Sequence, residues 1–490
     1  MKIKNASLLS FLFVFIVISC SKDDEIPEQN LTPTGTEVEE PIATEELEVK
    51  NFIWNGMNDI YLYKADVPPL GDTYFSNNSE KYNFLESFDT PEKLFAGLKS
   101  AKDRFSFMTA DYRELEESFR GITSSTAGMQ FGLGRISGSN NIFGFLQYVI
   151  PGTSAAEAGL TRGTIFTEIN GQKMTLNNFQ DLMKGSSFTI NIAKIENSTI
   201  VLTDETVTLH QDSYTTNPVH VVKTLDMQGR KIGYLMYNSF IADFDDELNQ
   251  AFARFKNEGI TDLVLDLRYN GGGSVESAID LASMITGQFE GEVFMKEQWN
   301  KKYQEHYEAN MPESLVNRFN TKIRTGDMIN SLNLSKVYIL TTNSSASASE
   351  LVINGLAPYI DVVQVGEKTT GKFQASVTLY DSPNFGREGA NENHTYAIQP
   401  LVFKSANAAG KSDYEDGLQP DIKYSESVTN LGILGDPSEP LLQAALNNIL
   451  GKTPVIQKQV EDNIMKVGES NMHHPAYQRM YIKEVPQLLE

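Results

Sequence analysis

Apolar strands alternate with helices between residues 234 and 367, and this alternation constrains the fold more than any other feature of the chain. The strands read "DLVLDLRYN", "KVYILTTN" and "DVVQVGE", and the helices between them read "SVESAIDLASMI" and "ASASELVINGLAPY". Strands that are apolar throughout are buried on both faces, which is typical of a mostly parallel sheet covered by helices. We therefore predict a multidomain α/β protein with its core in this half of the chain.

Three loops that leave these strands have unusual compositions. They are "NGGG" at residues 270–273, the serine run "SSASAS" at residues 344–349, and "EKTTGK" at residues 367–372. In a parallel α/β sheet the functional loops gather at the carboxyl ends of the strands. We therefore expect the chemistry of the protein at this edge.

The serine run stands at the start of an apolar helix. A helix N-terminus offers unpaired N–H groups and the positive end of the helix dipole, which favour a developing anion and hence a nucleophilic serine. One serine suffices as an N-cap, and Ser345 with Glu350 nearby could provide it. The residues alone leave open whether the run holds a nucleophile or only caps the helix.

A nucleophilic serine needs a base that removes its proton. None of the six histidines lies on the three loops; they are His210, His220, His306, His394, His473 and His474. The other base that can partner a serine is a neutral lysine in an apolar pocket. Lys372, between Gly371 and Phe373, is the candidate, and an ordinary exposed loop lysine is the alternative.

The glycine loop could complete such a site. Three glycines leave their N–H groups free to point at a bound group, and with the amide after the nucleophile they could form an oxyanion hole. A flexible turn and a phosphate cradle are the alternatives. No P-loop lysine follows the glycines, which weighs against phosphate.

The chain before the core divides into two predicted domains. Residues 49–122 have helical periodicity and predict a small helical lead-in. Residues 123–212 contain short strands around "PGTSAAEAGLTRGTIFTEING", an order that resembles a PDZ domain. In that resemblance the backbone N–H groups of Phe131, Gly132, Leu133 and Gly134 receive the carboxylate of a peptide added to the sheet edge. A β-rich packing domain without a ligand is the alternative.

The first residues indicate export. Residues 1–19 read as a signal peptide, and "VISC" resembles a lipobox that would place a lipid on Cys20, the only cysteine. An ordinary signal with a chance cysteine is the alternative. Residues 20–48 are acidic and free of aromatic residues, which predicts a disordered tether. This acidic run resembles the export signal of Bacteroides-group surface lipoproteins, which implies an outer-membrane anchor, facing the periplasm or the outside.

Together these features resemble the carboxyl-terminal processing peptidases, also called tail-specific proteases, a serine/lysine family with an inserted PDZ domain. The resemblance spans roughly residues 51–450 and rests on "DLVLDLRYNGGG", "SASASE" and "VGEKTTGK" in that order. It implies a crotonase/ClpP-like α/β protease core at residues 213–455, followed by a C-terminal extension at residues 456–490.

The family's motifs imply roles for individual residues. Ser347, the middle serine of the run, matches the nucleophile, and Lys372 matches the base. Ala348 and one of Gly271 or Gly272 would supply the oxyanion N–H groups, with Gly272 preferred.

Two stretches depart from the family. Its glutamine four residues after the lysine is replaced here by Ser376, while Gln374 lies two residues after Lys372. Gln374 is therefore the candidate for the third catalytic residue, with Ser376 as its substitute. The charged stretch from Met295 to Asn330 is longer than the family's pattern, and we interpret it as a lid or cap over the cleft.

The resemblance implies a serine endopeptidase that cuts unstructured protein tails with apolar C-terminal ends, without a metal or organic cofactor. The net charge of −23, with no basic cluster, argues against nucleic-acid partners. A catalytically inactive lipoprotein that only binds peptides through the PDZ groove is the main alternative. An acyl-CoA enzyme on a crotonase-like core is another, which the acidic surface and the PDZ-like domain disfavour.

Overall fold

The computed structural model describes residues 44–136, 141–196, 199–452, 464–474 and 476–488. The predicted signal peptide, the lipidation site at Cys20 and most of the predicted tether lie outside these residues. The last residues of the predicted tether are helical rather than disordered, because the Thr44 hydroxyl caps the first helix and Leu47 is buried in the core. No helix in the described part of the chain is long and apolar enough to cross a membrane.

The N-terminal domain is mainly helical. Its helices pack apolar residues such as Phe52, Ile53 and Leu94 into the same hydrophobic core as the main α/β region. Its elements are α1 (Glu45–Ile60), α2 (Asn78–Glu86), α3 (Pro91–Gly97), β1 (Phe107–Thr109) and α4 (Tyr112–Phe119).

A β domain follows, with its own hydrophobic core around Phe131, Phe166 and Ile190. A short helix, a strand and a second short helix follow one another in the stretch that resembles a PDZ domain, as α5, β5 and α6. The elements are β2 (Ile122–Thr126), β3 (Met129–Ile136), β4 (Ile142–Val149), α5 (Ser154–Glu157), β5 (Ile165–Ile169), β6 (Gln172–Lys173), α6 (Phe179–Leu182), β7 (Ser187–Glu196), β8 (Thr199–His210) and β9 (Asp212–Thr215). Strand β9 pairs with β2 in a separate two-stranded sheet, next to the predicted boundary between residues 212 and 213.

The α/β core begins with strands and helices that alternate as predicted. These are β10 (Val219–Met227), β11 (Arg230–Tyr237), α7 (Asp245–Glu258), β12 (Asp262–Asp266), β13 (Gly273–Ser274), α8 (Val275–Thr286), β14 (Val293–Trp299), α9 (Lys301–Asn310), β15 (Val316–Arg318), β16 (Lys336–Thr341), α10 (Ala348–Leu356) and β17 (Asp361–Gly366).

The remaining elements complete two six-stranded sheets, except that β19 and β20 form a three-stranded sheet with β1 and that β23 joins the sheet of the β domain. They are β18 (Gln374–Val377), β19 (Leu379–Tyr380), β20 (Ala397–Gln399), β21 (Leu401–Asn407), β22 (Ile422–Lys423), α11 (Pro440–Ile449), β23 (Ile464–Glu469) and β24 (Met480–Ile482). The first sheet has the order β10-β11-β12-β16-β17-β22, and its strands are parallel from β11 onward. The second has the order β13-β24-β18-β21-β14-β15. The carboxyl ends of β12, β16 and β17 meet at one edge, where the three predicted loops emerge.

The stretch from Met295 to Asn330 is not a lid, contrary to our interpretation of its charges. Its strand β14 pairs with β21 and β15 at the edge of the second sheet. The aromatic rings of Trp299 and Tyr303 are buried, and the Tyr303 hydroxyl donates to Asp59 of the N-terminal domain at 2.6 Å. The stretch is therefore a structural part of the second sheet and its contact with the N-terminal domain.

The C-terminal extension is part of the folded body. Strand β23 adds antiparallel to β3 at the edge of the β domain, and β24 lies between β13 and β18 in the second core sheet. Neither strand was predicted. The segment between them passes the loops at the carboxyl ends of the core strands.

Candidate active site

The hydroxyl groups of the four serines in the run have different environments. Ser345 Oγ donates to the Leu267 carbonyl at 2.8 Å, and Ser349 Oγ donates to the Asn270 carbonyl at 2.9 Å. Ser344 Oγ donates to the Glu469 carboxylate. Ser347 Oγ is buried and has no hydrogen-bond partner among the described residues. Three hydroxyls therefore donate to acceptors of the fold, whereas that of Ser347, which faces the backbone N–H of Glu350 at the start of α10, donates to none.

Ser347 occupies a strained backbone position at the turn from β16 into α10. Its φ is 66° and its ψ is −115°, in a region that residues with a side chain rarely adopt. Such strain persists only where surrounding contacts enforce it, and it concentrates at functional sites. The turn places Ser347 at the N-terminus of α10, which is the position that we predicted for a nucleophilic serine.

Glu350 connects the serine turn to the loop that carries Lys372. One oxygen, Oε2, accepts from Ser347 N at 2.7 Å and from Lys372 N at 2.8 Å, while Oε1 accepts from Gly371 N at 2.7 Å. Burial raises the pKa of Glu350, and these hydrogen bonds oppose that rise. From the sequence, Glu350 was predicted only to help Ser345 cap the helix. The spacing Ser347-x-x-Glu350, which is that of a capping box, was the signal that could have identified its contact with Ser347.

Lys372 is completely buried. Burial, and then the positive charge of Arg479, hold its pKa well below the ordinary range of a lysine. Its Nζ lies 5.1 Å from the ring centre of Phe105 and donates to the Gln478 carbonyl at 3.1 Å. Because Ser347 Oγ has no partner among the described residues, the amine and the hydroxyl are not hydrogen-bonded to each other in this conformation.

Neither candidate for the third catalytic residue contacts the amine of Lys372 through a hydrogen bond. Gln374 Nε2 donates to the Tyr63 hydroxyl at 2.9 Å, because strand β18 directs this side chain toward the N-terminal domain. Ser376 Oγ donates to the carbonyl of Met480 and to the side chain of Gln399, each at 3.1 Å. The assignment of Gln374, or of Ser376, as the group that orients the lysine has no support in this geometry.

The predicted oxyanion donors are only partly available. Ala348 is the first residue of α10, so its N–H is one of the unpaired donors of that helix. The preferred glycine was Gly272, but its N–H donates to Asn270 Oδ1 at 2.8 Å. Within the described residues Gly271 N–H donates no hydrogen bond, so Gly271 is the better placed second donor in this conformation.

The C-terminal extension occupies the cleft beside Ser347. The point where a side chain would begin on Gly272 lies 2.4 Å from Arg479 O, 2.7 Å from Ser347 Cβ and 3.0 Å from Ala348 N. A peptide carbonyl of the extension therefore lies close to both the glycine loop and the turn that carries the predicted nucleophile. The close approach also requires glycine at position 272, where φ is 110°.

The same extension covers the predicted peptide-binding edge of the β domain. Leu133 and Gly132 pair with Gly468 and Glu469 of β23, and Ser470 N donates to Phe131 O at 2.8 Å. The stretch Phe131–Gly134 therefore lies in a sheet with a neighbour on both sides, rather than at an open edge as predicted.

A cavity of about 550 Å³ lies between the β domain and the loops of the candidate site. Phe131 and Met183 line it from the β domain, and Gly271 and Ser344 line it from the core. The extension also brings His473 to this cavity, a proximity that the spacing of the histidines along the sequence could not indicate.

A buried ion-pair cluster joins the β domain to the glycine loop. Arg162 of the β domain pairs with Glu426 at 2.5 Å and donates to the Tyr269 hydroxyl at 2.7 Å, and Tyr269 directly precedes Asn270. Arg268, which is fully buried, pairs with Glu426 and Glu439. The position of the β domain is thereby coupled to the loop that would hold the oxyanion.

Two family models match the chain. The model described as "Peptidase family S41" matches residues 231–424, which include the glycine loop, the serine run and Lys372. The model described as "Peptidase S41 N-terminal domain" matches residues 48–107.

Individual proteins are similar over most of the folded body. The crystal structure of a Bacteroides fragilis NCTC 9343 protein described as an S41 protease is 28% identical, with a TM-score of 0.65, and covers 82% of this chain and 97% of that chain. The carboxyl-terminal-processing protease of Picosynechococcus sp. (strain ATCC 27264 / PCC 7002 / PR-6) is 25% identical over 68% of this chain and 73% of its own length. The protein named "Probable CtpA-like serine protease" in Staphylococcus aureus (strain N315) is 23% identical over 63% of this chain, but the alignment spans only 57% of that relative.

Proposed function

We propose that this chain, which belongs to peptidase family S41, is a serine endopeptidase in which Ser347 is the nucleophile and Lys372 is the general base. One observation carries the proposal. Ser347 has a hydroxyl without a hydrogen-bond partner on a strained turn, Lys372 is buried, and the backbone N–H groups of both residues donate to the same oxygen of Glu350. A shared carboxylate of this kind keeps the two residues in a fixed relation.

The proposed chemistry begins with neutral Lys372. A lysine whose pKa is held low by burial is deprotonated in a larger fraction of molecules near neutral pH, and can take the proton of Ser347 as the oxygen attacks a peptide carbonyl. The N–H of Ala348, with a second N–H from the glycine loop, would hold the oxyanion. Lys372 would then protonate the leaving amine and activate water to hydrolyse the ester.

The proposed substrates are unstructured protein tails held by the β domain. An extended peptide that added to β3 would take the position that β23 has in this structure. A substrate tail must therefore displace β23, or bind while β23 is detached. Apolar C-terminal ends remain our expectation for the captured tail, and an outer-membrane anchor through Cys20 remains our expectation for location.

The test is mass-spectrometric cleavage of disordered peptides by the chain from residue 44 onward. We expect Ser347→Ala and Lys372→Ala each to abolish cleavage, with the folded state verified by circular dichroism. Lys368→Ala, which removes an exposed lysine from the same loop, is the matched control and should cleave as the unaltered protein does. Cleavage that survives in either Ser347→Ala or Lys372→Ala would contradict the proposal.

The alternative function is peptide binding without catalysis. It would be favoured if the unaltered protein cut no peptide while its β domain bound peptide tails. The free hydroxyl of Ser347 is the observation against it, because a serine retained only for structure would be hydrogen-bonded like its three neighbours.

A further inference from the structure

The extension presents one side chain to a pocket beside the nucleophile. The Arg479 carbonyl oxygen lies 2.4 Å, and Ser347 Cβ 2.7 Å, from the point where a side chain would begin on Gly272, so this carbonyl is beside the nucleophile. Arg479 therefore lies next to Ser347 as a substrate residue adjoining the cleaved bond would. The side chain of that residue is the one that a specificity pocket next to the nucleophile would bind.

The pocket that receives the Arg479 side chain is built by the N-terminal domain. Nη1 of Arg479 donates to the Phe105 carbonyl at 2.6 Å, and the guanidinium lies 4.2 Å from the ring centre of Phe107. The carboxylate of Asp103 acts on the same guanidinium, since its charge opposes the effect of burial on the pKa of Arg479. A carbonyl oxygen, an aromatic face and a carboxylate all attract a cation.

We propose that this pocket is the primary specificity site of the peptidase and takes a basic side chain, arginine or lysine, on the acyl side of the cleaved bond. The inference rests on the proposed function, and it adds the substrate class. An apolar side chain would leave the Phe105 carbonyl without its donor, and a site built around a hydrogen bond discriminates strongly against a ligand that lacks the group. This preference concerns the residue at the cleaved bond. It is separate from any preference of the β domain for the C-terminal residues of the captured tail.

The resident extension is bound in a manner that does not favour its own cleavage. Lys372 Nζ donates to the Gln478 carbonyl instead of bonding to Ser347 Oγ. Arg479 thus occupies the pocket as a ligand from the same chain, and a substrate side chain competes with it.

The experiment compares two quenched peptides that differ only in having arginine or leucine before the cleaved bond. We expect the arginine peptide to have a kcat/KM higher by about tenfold or more, the factor typical of a hydrogen bond to a charged group. Arg479→Ala, which empties the pocket, should lower KM for the arginine peptide. Lys483→Ala, which removes an exposed cation from the same extension, is the matched control and should leave KM unchanged.

Binding is measured separately so that it does not depend on catalysis. In the chain carrying both Ser347→Ala and Arg479→Ala, fluorescence anisotropy should show tighter binding of the arginine peptide than of the leucine peptide. Equal or weaker binding of the arginine peptide would overturn the pocket assignment, whether or not peptides are cut. Absence of cleavage together with preferential arginine binding would contradict the proposed catalysis and leave the pocket assignment in place.

Discussion

Ser347 and Lys372 have local environments that a purely structural function does not require. The serine has a positive φ and a hydroxyl without a partner among the described residues, and the lysine amine is enclosed by protein. Burying a charged amine is unfavourable unless it loses its proton. Both residues therefore carry a cost to stability that a catalytic function would explain.

The low pKa of Lys372 gives a prediction for the pH dependence of cleavage. We expect kcat/KM to rise with pH through a single ionisation below the ordinary lysine value of 10.5, because only the neutral amine can accept the serine proton. The positive charge of Arg479 is the second cause of the lowered pKa. Arg479→Ala should therefore move the ionisation to higher pH, measured with a leucine peptide at saturating and at low concentration. A rate that is constant from pH 5 to pH 9 would count against a lysine base.

At the level of elements, helix α10 and the loop before β18 are joined through Glu350, and strand β23 covers the β3 edge of the β domain. The backbone groups of β3 that a peptide would use are already paired with β23. A strand from the same chain is present at high effective concentration, so it competes well against peptides in solution. Peptide capture should therefore be limited by release of β23.

This competition can be tested by weakening β23 without shortening the chain. Replacing residues 464–469 by a Gly/Ser sequence of equal length removes the strand's side chains and lowers its strand propensity. In a Ser347→Ala background we expect peptides with a free C-terminal carboxylate to bind at least several-fold more tightly, measured by fluorescence anisotropy. The same peptides with amidated C-termini are the control, and an equal gain for both forms would show that the carboxylate is not recognised. No gain for either form would contradict the competition.

At the scale of the whole molecule, the sequence predicted the elements that a local pattern of residues determines. It did not predict the strands that form by pairing with distant segments. Alternating apolar strands and helices predicted the parallel sheet, and the loop compositions placed the serine run and Lys372 at the same sheet edge. The choice of Ser347 within the run came from the family resemblance. The short strand β24, "MYI", has no periodicity of its own, and it forms only because β13 and β18 offer open neighbours. Arg479 directly precedes β24, so its position beside the cleft could not be predicted from the sequence either.

The stability of the whole molecule should depend on pH through two buried carboxyl groups in the core. Burial raises the pKa of Asp245 and that of Asp280 from the ordinary 3.8 to about 7. The folded state thus keeps protons that the unfolded state has lost, so the contribution of these two groups to the unfolding free energy is largest below pH 4 and decreases as pH rises to 7. Within this window each group contributes about 1.4 kcal/mol per pH unit.

Thermal unfolding measured between pH 5 and pH 8 tests this expectation. Asp280→Asn keeps an acceptor for the Asn320 side chain but cannot ionise, so the melting temperature should decrease less over this range than in the unaltered chain. Asp181→Asn, at an exposed position, is the matched control and should follow the unaltered chain. Parallel curves for all three proteins would show that Asp280 is ionised in the folded state throughout.

The most direct test of the account is covalent labelling of the serine run with a fluorophosphonate, followed by peptide mapping. We predict that Ser347 alone is labelled, that Ser344, Ser345 and Ser349 are not, and that Lys372→Ala greatly slows the labelling while Lys368→Ala does not. Labelling of another serine, or an unchanged rate in Lys372→Ala, would contradict the claim that Ser347 is a nucleophile activated by Lys372.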